Sequence, residues 1–235
     1  MLGHVVVLCM VSLMLGLAVW QYDRLQWRKE ENVKLEAAFS AEPTVVDSQA
    51  RLEGIGVNTR VRLSGVTEPA NTVYVRYKLL DGLPGVWVLT PLRLGDGSVV
   101  IVNQGWRSDL HANKDARPDS PGQSLTVEGL VMKTEKPVGT VDHTDGNPSI
   151  PTVRSVSSDQ LTSLLGGAPV GTSFVQQQKP DGTDAVKLLP APEITEGSHF
   201  AYVLQWTGFS FVVLIGYAIL LRKAMQDDET TQVAQ

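Results

Sequence analysis

Cysteine is nearly absent from this 235-residue chain. The single one, Cys9, has no partner for an internal disulfide, and no C-x-x-C-H motif offers covalent haem attachment. An excess of positive charge is missing too. Twenty Lys and Arg stand against 25 Asp and Glu, for a net charge of −5, and no basic stripe runs along the chain, which excludes nucleic acid as a partner. There is no G-x-S-x-G nucleophile elbow, no H-E-x-x-H, no phosphate-binding Walker loop and no G-x-G-x-x-G. The four histidines, His4, His111, His143 and His199, are scattered, and there is no His-rich or Met-rich cluster of the kind a soft copper site needs.

Charge of either sign is also missing from two stretches, one at each end. Residues 2–21 and 199–221 contain no Lys, Arg, Asp or Glu. About 20 apolar residues in a helix cross a ~30 Å hydrocarbon core at ~1.5 Å per residue. The pattern therefore predicts two membrane crossings, with lipid as a permanent neighbour. No Lys or Arg precedes Val5, and no small-residue cleavage pattern follows the first run. Trp20 and Tyr22 stand at its end as interfacial anchors, so the first run reads as a retained helix rather than a signal peptide. Arg222 and Lys223 follow the second run, while Glu193 and Glu196 precede it. The positive-inside rule then places both termini in the cytoplasm and the middle of the chain outside. Arg24, Arg28 and Lys29 oppose this locally, but long loops translocate largely regardless of charge.

Between the two runs the apolar period changes. Helical character continues from the first crossing to about residue 39, and Pro43 marks a boundary. From there short runs alternate in period two: 60–65, 72–80, 86–92, 98–105, 125–132 and 173–178. Asp81-Gly82 and Asp96-Gly97 are hairpin turn signals. One short helix is expected, capped by Ser158, Asp159 and Gln160, spanning 161–165 and ended by Gly166-Gly167. Residues 111–122, 136–151 and 179–197 read as polar or Pro/Gly-rich loops. The expected fold is a two-pass helical membrane hairpin plus a mainly antiparallel β domain, barrel- or sandwich-like and extracytoplasmic, with one short helix. The expected divisions are helix one at 2–21, a β domain at 43–195, helix two at 199–221 and a cytoplasmic tail at 222–235.

The candidate chemistry gathers at the outer ends of the helices. On helix two, His199, Tyr202, Val203, Trp206, Phe209 and Ser210 recur at helical spacings of three and four and share a face. A neutral imidazole above an aromatic strip suits a flat porphyrin with its iron. The same residues also read as an ordinary aromatic belt with a polar first turn. On helix one, Trp20, Arg24, Trp27 and Arg28 share a face. An arginine there can pair with a carboxylate such as a propionate, or simply snorkel or pair with Asp23 and Glu31.

Three blocks together resemble the surfeit-locus-protein-1 family of cytochrome c oxidase assembly factors. Leu15-Gly-Leu-Ala-Val-Trp-Gln-Tyr-Asp-Arg-Leu-Gln-Trp-Arg is similar to the family's L-G-x-W-Q-x-x-R-x-x-W-K. Gly82-Leu-Pro-Gly-Val-Trp-Val-Leu-Thr-Pro-Leu, Asp96-Gly97 and Val100-Ile-Val-Asn-Gln-Gly-Trp are similar to G-x-x-G-x-x-V-x-T-P-L, D-G and V-N-R-G-W. Pro190-Ala-Pro and His199-Phe-Ala-Tyr-Val-Leu-Gln-Trp are similar to the last block, H-L-x-Y-A-x-Q-W. The chain departs at Gln104, where the family carries Arg, and at Ser198, where Pro is frequent.

The resemblance implies a non-enzymatic haem a chaperone in a bacterial plasma membrane. It would work beside haem A synthase and deliver to oxidase subunit I. His199 would be the axial ligand, Trp20, Tyr202 and Trp206 would frame the porphyrin, and Arg24 would meet a propionate. Two other functions remain open: a membrane interaction protein that stabilises an oxidase assembly intermediate without haem, and a tethered hydrolase using the His111 and His143 loops.

Overall fold

A computed structural model describes residues 2–108, 122–144, 147–179 and 186–233, with the side chains of 143–149 and 227–233 excepted. It divides into two compact units. One comprises residues 1–36 and 194–235, the other residues 37–193.

The first unit is the pair of terminal helices, α1 (Leu2–Ser40) and α4 (His199–Val233). Both are long and apolar enough to cross a membrane. On α1 the partly or fully covered positions up to 28 are 7, 11, 14, 17, 18, 21, 25, 26 and 28, and all but 17 and 26 follow alternate steps of four and three. On α4 they are 199, 203, 206, 207, 210, 213 and 217, the same rhythm with 207 beside it. A 4-3 repeat keeps one stripe of each helix turned to its neighbour. The helices run antiparallel: His199 meets Gln21, and Tyr217 meets His4. Small side chains stand among the buried positions of the stripe, Ala18 on one helix and Ser210 on the other.

The second unit is β. Its strands are β1 (Thr44–Val46), β2 (Arg60–Thr67), β3 (Val73–Leu80), β4 (Leu83–Leu94), β5 (Val99–Ser108), β6 (Ser124–Lys133), β7 (Asp142–Thr144), β8 (Asn147–Val153) and β9 (Ser173–Gln177). The hydrogen-bonded order is β1-β2-β6-β9-β5-β4-β3-β8-β7, and β2 also pairs with β4. That extra pairing closes β2, β6, β9, β5 and β4 into a barrel, while β3, β8 and β7 extend from it. Most neighbours are antiparallel; β1–β2, β3–β8 and β5–β9 are parallel. At the closure Gly65 faces Leu94, and a Cβ on Gly65 would lie 2.4 Å from the Arg93 carbonyl oxygen. Only glycine lets those backbones approach so closely.

Two of the β unit's apolar clusters sit on opposite sides of the barrel wall. Val61, Leu63, Leu92, Leu94, Val100, Val102, Val127, Val131 and Val175 fill the inside, joined by Val46 and by Leu52 of the short helix α2 (Gln49–Glu53). Ile101 and Phe174, one step along their strands, point the other way. They pack with Val73, Val75, Leu89, Val153 and Leu161 beneath α3 (Ser158–Leu164). A strand covered on both faces needs apolar residues at consecutive positions, which is why 99–102 reads as a run rather than an alternation.

The motif Val100-Ile-Val-Asn-Gln-Gly-Trp is a bulge. Val88 pairs with Gly105 and Leu89 with Asn103, which leaves Gln104 as the extra residue. Buried Asn103 accepts a hydrogen bond from the Gly105 N–H through Oδ1 at 3.1 Å. Gly105 has φ +138°, and a Cβ there would lie 2.4 Å from the Lys187 carbonyl oxygen. Trp106 and Lys187 exchange backbone hydrogen bonds of 2.7 and 2.8 Å. The block therefore docks the segment that leads toward α4. Gln104 accepts from Thr90 Oγ1 at 3.1 Å.

Both turn signals form hairpins. Asp81 and Gly82 take φ of 53° and 77°, as a two-residue turn matched to strand twist requires. Gly97 takes φ 86°, and Leu94 N–H donates to Ser98 O across the second turn. Four features differ from expectation. Strand β1 forms at Thr44–Val46, where three residues are too few to show alternation. Residues 136–151, expected as a loop, include β7 and most of β8. Pro148 and Pro151 hide the pattern there, and short peripheral strands tolerate proline. The N-cap of α3 is Ser157 rather than Ser158, so Ser158 and Asp159 lie inside the first turn. Helix α2 is too short to show a period, although Ser48 caps it by accepting from the Arg51 N–H.

Helix α2 also anchors a buried polar junction. Glu53 accepts from the Ser173 N–H at 2.8 Å, Ser173 Oγ at 3.1 Å, Gln49 Nε2 at 2.8 Å and Thr172 Oγ1, with Lys133 Nζ 3.4 Å away. Burial alone would raise its pKa, but these donors outweigh it and lower the carboxyl to about 2.

Candidate functional site

His199 is the first residue of α4, and its position follows from what precedes it. Gly197 turns the chain at φ +67°, and its N–H donates to Thr195 Oγ1 at 3.1 Å. Thr195 and Glu196 are in turn held by α1. Arg28 Nη2 donates to the Thr195 carbonyl at 3.0 Å, and Lys29 lies 3.9 Å from Glu196. The imidazole enters the helix seam half-buried, with Nδ1 2.8 Å from Gln21 Oε1. Facing a carbonyl oxygen, Nδ1 acts as the donor, which in the neutral tautomer leaves the lone pair on Nε2. Gln21 was not among the candidates. Its signal in the sequence is its place next to Trp20, two residues before the first charge.

Trp206 lies on the same seam two turns further along α4, half-buried, with Phe209 edge-on at 6.0 Å. Tyr202, Phe209 and Trp20 are exposed. So is Arg24, whose guanidinium lies over the Trp27 ring at 4.6 Å. Arg24 immediately precedes covered Leu25, and Tyr202 immediately precedes covered Val203. In an antiparallel pair, positions that precede the first residue of each repeat flank the seam on the same side. Arg24, Tyr202 and Phe209 therefore flank the seam on one side of the hairpin, with His199 at the seam beside them, while Trp20 stands further round α1, exposed. Arg24 stands three residues beyond Gln21, about 4.5 Å along the helix axis.

The expected face on α4 is thus split. His199, Val203, Trp206 and Ser210 turn to α1, while Tyr202 and Phe209 form the adjoining open wall. Arg28, grouped with Arg24 on the sequence, is instead committed to the Thr195 carbonyl. His111 and the side chain of His143 lie outside the described residues. No group of three or more His, Cys, Asp or Glu able to hold a bare metal ion occurs among the described residues.

The residues fit a flat carboxylated porphyrin in their chemistry: one imidazole nitrogen as ligand, aromatic surface beside it, and a guanidinium one turn away. A second candidate cavity, in the β unit, is lined by Phe39, Arg60, Glu128, Leu130 and Lys179. It encloses about 250 Å³, below the ~300–1,000 Å³ usual for a ligand pocket. Lys179 and Arg62 lower the Glu128 carboxyl by pairing with it, which makes this a structural junction.

Comparison with known proteins gives a consistent result. The model of the SURF1 family matches residues 8–211. A SURF1-like protein of Mycobacterium bovis is 25% identical over 209 residues, covering 85% of this chain and 74% of that protein. A SURF1-like protein of Rickettsia conorii is 22% identical over 223 residues, covering 92% and 90%.

Proposed function

Since the chain belongs to the SURF1 family, which is associated with cytochrome oxidase assembly, we propose that it is a membrane-anchored assembly factor that carries haem a toward oxidase subunit I, next to haem A synthase. The observation that carries this reading is the placement of His199. Its Nδ1 is engaged by Gln21 in the seam, which in the neutral ring leaves the Nε2 lone pair as the ligand, and Arg24, Tyr202 and Phe209 flank that seam. His199 would hold the haem iron, Arg24 would meet a propionate, and Tyr202 and Trp206 would shield the ring. A carrier must release its cargo, so one protein ligand suits it better than two.

Both helices span the plasma membrane of a bacterial cell, the termini face the cytoplasm, and the β unit lies outside. This orientation rests on Arg222 and Lys223 after the second span.

The test is an absorption spectrum of detergent-purified protein co-expressed with the haem A pathway. The native chain is expected to carry haem, and His199→Ala to lose it. Full occupancy in His199→Ala would show that the ligand is elsewhere.

A second reading, an interaction protein without haem, draws on the β3–β4 hairpin. Tyr77, Leu79 and Leu83 are exposed there, and Arg76 and Arg154 each stack at 5.4 Å on the Tyr77 ring. Exposed apolar groups mixed with Tyr and Arg are typical of protein-docking surfaces. A colourless native protein would favour that reading.

A further inference from the structure

We propose that Gln21 is the positioning residue of the site: it fixes the His199 tautomer and, being a neutral acceptor, keeps the ligand weak enough to release its cargo. The inference rests on His199 as the haem ligand. Its warrant is the 2.8 Å contact between Nδ1 and Gln21 Oε1.

A histidine ligand is governed by what its second nitrogen does. An acceptor at Nδ1 holds the proton there, orients the ring and pushes electron density toward Nε2. The push depends on the acceptor's charge. A carboxylate pulls the proton strongly and gives the ring imidazolate character, which strengthens the bond to ferric iron and lowers the reduction potential. A carboxamide orients the ring equally well but pushes little.

This chain uses the carboxamide. Residue 21 lies near the end of the uncharged stretch, and the exposed Asp23 follows two residues later. A glutamate at 21 would differ by one atom type and would still reach His199. The neutral residue therefore gives orientation without a tight grip. The backbone leading into His199 is held independently by the Gly197 turn and by the Arg28–Thr195 and Lys29–Glu196 contacts. Gln21 is left to determine the proton's place.

The experiment uses the full chain in detergent with haem a loaded by co-expression, as native protein, Gln21→Leu, Gln21→Glu and His199→Ala. Three quantities are read: the haem reduction potential, the rate of haem transfer to excess apomyoglobin, and the ¹⁵N histidine shifts of the haem-free protein. Gln21→Glu should lower the potential and slow transfer about tenfold or more. Gln21→Leu should raise the potential and speed transfer, since loss of such an outer partner costs about 10–100-fold in metal affinity. The haem-free native protein should show His199 protonated on Nδ1.

Equal potentials and equal transfer rates in native, Leu and Glu forms, with haem still lost in His199→Ala, would overturn the role of Gln21 and leave the ligand intact. A native His199 protonated on Nε2 would overturn it without any variant. A native protein that takes up no haem would remove the underlying reading and this one with it.

Discussion

Glu53 makes a quantitative test of the β unit. Its carboxyl is held at about 2, against an ordinary value of 4.5, by Thr172, Ser173 and Gln49. A shift of that size corresponds to at most about 3 kcal/mol of preference for the charged form in the folded protein. The side chain remains 29% exposed, so solvent screening reduces this to about 1–2 kcal/mol. The native pKa is the lower one. The stabilisation is therefore complete above about pH 4.5 and lost as pH falls toward 2. Glu53→Gln removes the ionisation and turns an NH₂ group toward donors that need an acceptor. At pH 6 to 7 the variant should unfold earlier than the native chain by about 1–3 kcal/mol, measured by thermal circular dichroism of the full protein in detergent. That gap should narrow steadily between about pH 4.5 and 2. A gap that stays constant across that range would show that Glu53 acts by packing alone, and the electrostatic argument would fail.

Two further outcomes test the packing. Gly65→Ala places a methyl group 2.4 Å from the Arg93 carbonyl at the barrel closure, so it should destabilise the β unit by about 1–3 kcal/mol, read from the same melting curves. Cysteines substituted for His4 and Tyr217, in a chain whose Cys9 has been replaced by serine, should cross-link efficiently with a short bis-maleimide, as the antiparallel register requires. A matched pair at His4 and Leu204 should not.

The parts of this architecture that could be read in advance are those written in periodicity. Uncharged stretches announced α1 and α4, and alternation with Asp-Gly turns announced β2 to β6 and β9. Barrel closure was not legible, because the β2–β4 pairing joins residues far apart in sequence and its only local sign is the small residue Gly65. β7 and β8 were hidden by Pro148 and Pro151, and α2 by its length. At the site, His199, Tyr202, Trp206, Trp20 and Arg24 stood out as residue types. The side of the helix each one occupies depends on the 4-3 seam, which needs both helices at once. Gln21 was missed for the same reason: a glutamine inside an apolar helix shows its partner only when the neighbouring helix is present.

The two polar pairs of the hairpin act together as a ruler. Gln21 and His4 are 17 residues apart, a rise of about 26 Å, close to the ~30 Å of hydrocarbon in a bilayer. Between them the seam is nearly all apolar or small. In a membrane this spacing leaves both hydrogen bonds at the edges, where water begins, and leaves none in the middle. Sliding α4 by one heptad would strand four polar groups at once, two of them at greater depth, each at a cost of several kcal/mol. The pairs therefore set more than contact between helices. They fix how far His199 can sink, and so the depth at which any cargo bound to it is offered to a partner in the same membrane.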